Sequence, residues 1–123
     1  ALELYAELGE AAAAERVRAL GRRFAEGVAI ELAAWRPLFS GPMGFTSAPS
    51  TSPGGAVVAR FPPEVDPYPF YRALDAGGLH AKCIKTAVHN QLRWGVPWWE
   101  TEGRVDEAVA LLRRHAALLG PSP

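Results

Sequence analysis

Residues 79–96 read LHAKCIKTAVHNQLRWGV. The runs 79–88 and 91–96 have the β-branched, aromatic and alternating character of strands, and His89 and Asn90 between them are polar residues suited to a tight connection, so the passage predicts a hairpin. In the second strand a two-residue period puts Leu92, Trp94 and Val96 on one face. The same period throws Arg93 onto the other face, where a sheet can meet a cleft or a partner. A sheet that hides a tryptophan on one side needs helices to cover that side, and the flanking sequence supplies them.

Downstream, Thr101 is a suitable N-cap for a last helix. Its apolar stripe runs Val105, Val109, Leu112 and Ala116, with Arg113, Arg114 and His115 favourably placed at the C-terminal end before Gly120 and Pro121. Upstream, residues 66–76 read as a helix carrying Tyr68, Phe70, Tyr71 and Leu74, closed by Gly77 and Gly78. Before it, residues 56–61 form a short buried-strand run stopped by Pro62 and Pro63. Residues 40–55 are mostly Gly, Pro, Ser and Thr, a composition with too few large side chains for a packed element, and predict a long surface loop. Residues 1–36 predict a helical entry in which Val17, Leu20, Phe24 and Val28 share one face. Gly9 divides it into a short helix and a long one, and Pro37 ends it.

The expected order is therefore α-α-β-α-β-β-α, an α/β (α+β) fold with a small sheet covered by helices. Residues 1–123 make a single domain: helical entry 1–36, Gly/Pro/Ser loop 40–55, and a βαββα unit over 56–120. The chain has 123 residues, 49 % of them hydrophobic and 21 % charged, which argues against the disordered, fibrous and membrane-spanning classes. Thirteen basic residues balance thirteen acidic ones, so the excess charge that drives nucleic-acid or membrane binding is lacking. The one cysteine, Cys83, allows no internal disulfide and suits a reducing compartment such as the cytoplasm. The start at Ala1, already in a helical pattern, suggests a piece of a longer polypeptide.

Four groups of residues invite a chemical reading. His80, Cys83 and His89 are of metal-ligand type, but a structural zinc site needs four ligands and His115 lies on another helix, so no metal is expected. Cys83 has Lys82 and Lys85 nearby to lower its pKa, yet on a strand it points away from Lys82, and a packing role is expected. Trp94, Trp98 and Trp99 could stack on a base or an aromatic ligand, but the alternation favours packing. Arg93 carries a guanidinium fork that matches a carboxylate or phosphate, with a structural ion pair as its alternative. Arg60, Arg72 and Arg104 are expected to be solvated or paired.

The stretch Leu92-Arg93-Trp94-Gly95-Val96-Pro97-Trp98-Trp99-Glu100-Thr101, followed by Val105-Asp106 and an apolar helix, resembles the C-terminal segment of class V aminotransferases. These are fold-type I pyridoxal-phosphate enzymes, among them cysteine desulfurases and isopenicillin N epimerase-like proteins. Leu8-Gly9, Arg16 and Leu20 resemble the long helix entering that family's small domain, and residues 56–61 with Gly77-Gly78 resemble its strand-helix-glycine passage. The resemblance spans essentially the whole chain. It implies the C-terminal small domain of a longer enzyme acting on an amino acid, dimeric when complete. Pyridoxal 5'-phosphate would be held mainly by a large domain of the same polypeptide, with no nucleic acid or membrane as partner.

On this resemblance Arg93 binds the substrate's α-carboxylate, no residue of the chain is catalytic, and the isolated chain is inactive. Gly95 stands where many members have serine, and Trp99-Glu100-Thr101 replaces the usual aromatic-Asn-Thr turn. The desulfurase cysteine would fall about level with Gly78, whereas Cys83 lies further along, so an aminotransferase, epimerase or lyase is implied rather than a desulfurase. The contrasting reading is a free-standing α/β binding or protein-interaction module without catalytic activity.

Overall fold

The computed structural model describes residues 2–41, 44–46, 57–95 and 101–123. They form a small mixed α/β domain in which helices pack on one face of an antiparallel sheet. Helix α1 (Leu2–Glu31) is broken at Gly9, where the backbone leaves the helical region, as the sequence predicts. Its expected stripe of Val17, Leu20, Phe24 and Val28 is buried and continues to Leu32. A 3-10 turn, Ala33–Trp35, leads into the sheet, and the Trp35 indole N–H donates to the Gly120 carbonyl at 2.8 Å, joining the two ends of the domain.

The sheet has the order β2-β1-β3-β5-β4, built from β1 (Leu38–Gly41), β2 (Gly44–Thr46), β3 (Val57–Arg60), β4 (Lys82–Lys85) and β5 (Asn90–Trp94). Helix α2 (Tyr68–Ala76) connects β3 to β4 across a gap, and β5 returns into that gap, pairing antiparallel with both. This split arrangement places β5 between β3 and the edge strand β4, with Leu92 and Trp94 buried on one face and Arg93 exposed on the other.

Two local devices position β4. The Asp66 side chain accepts the Tyr68 backbone N–H at 3.1 Å, satisfying one of the donors left open at the start of α2. At the other end the Leu79 N–H reaches the Leu74 carbonyl and the Gly78 N–H reaches that of Asp75, a Schellman closure. The pivot is Gly78 at φ 92, a left-handed conformation that a side chain would strain. Leu79 belongs to this closure and Thr86 begins the next turn, so the first hairpin strand, Lys82–Lys85, is shorter than the predicted 79–88 at both ends.

Helix α3 (Glu102–His115) starts at Thr101, whose hydroxyl accepts the Arg104 backbone N–H at 3.1 Å. It packs against α1. A Cβ on Gly27 would run into Val109, so glycine sets the distance between these helices. Ion pairs flank the contact: Arg23 grips Asp106 through two hydrogen bonds of 2.8 Å, and Arg113 meets Glu31 at 3.1 Å. The Arg23 hydrogen bond holds the Asp106 carboxyl below its ordinary range.

Two predictions need correction. Part of the predicted loop 40–55 is strand, because Ser40–Gly41 and Gly44–Thr46 pair with each other and β1 pairs with β3; residues 42–43 and 47–55 lie outside the described residues. Pairing to a neighbour can override a weak local preference. The hairpin turn is also not His89–Asn90. Thr86 makes it, accepting the N–H groups of Val88 and His89 at its hydroxyl while its own N–H donates to the His89 carbonyl, and Asn90 already pairs with Lys85 in β5. The βαββα unit is thus preceded by a β1–β2 hairpin, which changes the predicted element order.

Candidate functional site

Strand β5 separates structure from recognition residue by residue. Leu92 and Trp94 are fully buried under the helices, and the Trp94 ring meets Phe24 edge-on with centroids 5.7 Å apart. The Trp94 indole N–H has no hydrogen-bond partner among the described residues. A tryptophan sealed in this way serves packing rather than stacking on a ligand; Trp98 and Trp99 lie outside the described residues.

Arg93 points the opposite way. It is exposed, and its register partners are Val58 on β3 and Lys82 on β4, so those three residues form one row across the outer face. The next row joins Arg60, Gln91 and Ile84, with Leu38 of β1 opposite Arg60. No ion pair to Arg93 exists among the described residues, so none of the described acids supplies its structural alternative. Lys82, an exposed cation beside it, adds to the positive field facing an incoming anion. The arrangement can take a carboxylate on a guanidinium whose fork is open to solvent.

The remaining sequence candidates do not converge. The His80 Nδ1 lies 2.6 Å from the Asp75 carboxylate at the end of α2, whereas His89 sits at the far end of β4 in the turn. Among the described residues no three metal-ligand side chains gather. Cys83 is half-buried on the inner face against the core. Burial pushes its thiol above the ordinary range, and Asp66 adds to the shift while Lys85 opposes it. The neighbouring lysines therefore do not activate it. A cavity of about 360 Å³ opens at the Trp94 end of the sheet, between the glycine closure of α2 and the start of α3, with His80, Gly95, Arg104 and Glu107 in its wall.

No family model, curated protein or solved structure matches this chain.

Sequence reasoning missed the Arg23–Asp106 clamp and the approach at Gly27. A faint signal existed for the second, since a glycine inside a strongly helical stretch is costly unless something needs the space. No described helix is long and apolar enough to cross a membrane.

Proposed function

We propose that the chain is the C-terminal small domain of a pyridoxal-phosphate enzyme of the class V aminotransferase type, and that Arg93 receives the α-carboxylate of its amino-acid substrate. The single observation that supports this is the exposed guanidinium on the outer sheet face, flanked by Lys82 and engaged by no described acid. A carboxylate held by two parallel hydrogen bonds is fixed in direction as well as position, which orients the rest of the substrate toward whatever group performs the reaction.

The described residues do not themselves offer an enclosed lysine for that cofactor. A cofactor lysine is usually enclosed and desolvated so that its amine is available. Of the two lysines here, Lys85 lies 3.3 Å from Asp66 and Lys82 stands in the open beside Arg93. On this reading the cofactor belongs to a large domain of the same polypeptide, in a cytoplasmic homodimer, and the present domain binds and orients substrate.

Replacing Arg93 with Lys in the polypeptide that carries this domain is the test. Charge is kept and the bidentate geometry lost, so kcat/KM falls by about 10- to 150-fold, the equivalent of about 1.5 to 3 kcal/mol. Cofactor loading, read from its visible absorbance, stays unchanged, and an amine substrate without a carboxylate is turned over equally by both proteins. An unchanged kcat/KM, or a polypeptide that binds no cofactor, overturns the reading and leaves the free-standing binding module.

A further inference from the structure

The opposite end of the sheet from the Trp94 cavity holds a second concavity, a groove of about 550 Å³. Three segments wall it: the entry to β1 at Arg36 and Leu38, the turn after β3 at Pro62 and Pro63, and the β4–β5 turn at residues 86–89. Its charged lining is of one sign. Arg36, Arg60 and Lys85 contribute to it, with the His89 imidazole beside them, and no aspartate or glutamate does among the described residues, in a chain whose overall charge is zero. Asp66 reaches Lys85 from the flank and offsets one of these charges, and the Arg60 Nε lies 3.5 Å from the Gln91 amide oxygen.

The walls are fixed before any ligand arrives. The Asn90 side-chain amide donates to the carbonyls of Pro62 and Val65 at 2.9 and 2.7 Å, and the Phe61 N–H donates to the Asn90 carbonyl at 2.8 Å, tying the proline turn to β5. The Thr86 hydroxyl holds the opposite turn through Val88 and His89. Arg36 adopts a left-handed backbone at φ 51, uncommon for a residue other than glycine, with its N–H donating to the Ala33 carbonyl. Beside these cations stand apolar side chains that folding leaves in water: Val88 is 85 % exposed and Leu38 57 %. Like-charged groups held by a rigid frame next to bare apolar surface fit a ligand that is anionic at one end and apolar at the other.

We propose that this groove binds a small organic oxyanion, its phosphate or carboxylate head between Arg36 and Arg60 and its short apolar body on Leu38, Pro62 and Val88. The site shares no residue with the Arg93 row and stands whether or not the proposed enzymatic role is correct.

The test is an amide chemical-shift titration of the 123-residue chain at constant ionic strength with butyl phosphate, butyrate and inorganic phosphate, and with butylammonium as the cationic control. Saturable shifts at Val88, His89 and Arg60 are expected with butyl phosphate or butyrate, weaker ones with inorganic phosphate, and none with butylammonium. The better of the two butyl compounds identifies the head group. Arg36→Asn, which tolerates a left-handed backbone, and Arg60→Gln each weaken binding by about tenfold or more, whereas Arg93→Gln leaves it unchanged. If Arg60→Gln fails to fold, Arg36→Asn decides alone. Shifts that never saturate, that butylammonium reproduces, or that Arg36→Asn leaves intact overturn the proposal.

Discussion

Along β5, Leu92 and Trp94 are sealed from water while Arg93, the residue between them, stands in it. Both faces come from the same backbone, with the same hydrogen bonds to β3 and β4, so strand pairing does not account for the contrast. What differs is the cover. All three helices share the core with the inner face, through Phe24, Phe70, Leu74 and Leu112 among others. Stability accordingly concentrates on the inside, and the outside is left to recognise something else. A change on the inner face costs packing, and a change on the outer face alters binding at little cost in stability.

The largest expected effect follows from Trp94→Ala, which removes a fully buried indole and its edge-on contact with Phe24. A loss of about 3 to 5 kcal/mol is expected in urea denaturation, enough to consume much of the stability of a small domain. Arg93→Lys, its outer-face counterpart, leaves the unfolding midpoint in place. If the two substitutions cost the same, the division between the faces is wrong.

Gly27→Ala probes the distance between the cover helices. Helix propensity alone would make alanine stabilising by about 1 kcal/mol, but the added methyl meets the stiff, β-branched Val109. Overpacking should win, with a net destabilisation of about 1 to 3 kcal/mol in thermal or chemical unfolding. A gain in stability would mean that α1 and α3 can move apart freely.

The smallest effect concerns the clamp at the edge of the same contact. Arg23 holds the Asp106 carboxyl below its ordinary range, so the folded state favours the ionised form. The stabilising contribution is complete above the unfolded-state carboxylate range and is lost as the pH falls through the lower folded value. Asp106→Asn should therefore flatten a small part of the acid limb of a stability-pH profile and lower the neutral-pH plateau by the same small amount, because the pair is exposed to solvent and screened. An acid limb identical to that of the parent would show that the clamp contributes nothing.

Much of the inner face was legible because it is periodic. The stripe of Val17, Leu20, Phe24 and Val28, the cap at Thr101 and the alternation around Arg93 each repeat at an interval set by one element's geometry. The hairpin turn was misplaced because the hydrogen bonds of the Thr86 hydroxyl leave no periodic trace, whereas His89 and Asn90 look like turn residues by type. Strand β1 was hidden by its composition, since it forms by pairing with β3. At the candidate site, sequence singled out Arg93 and the face it occupies. It gave no hint that Lys82 would stand beside it, or that Arg60, expected to be solvated or paired, would line a groove with Arg36 and His89.

The sequence by itself determined the helical stripes, the caps and which residues of β5 turn inward, because these follow from torsional preferences and from spacing within a few residues. Only the tertiary structure decided that β5 inserts between β3 and β4, that Arg23 meets Asp106 across 83 positions, and that three separated segments enclose one basic groove. Those features depend on how faces dock once the chain has closed on itself, and a contact between distant residues leaves no interval in the sequence from which it could be read.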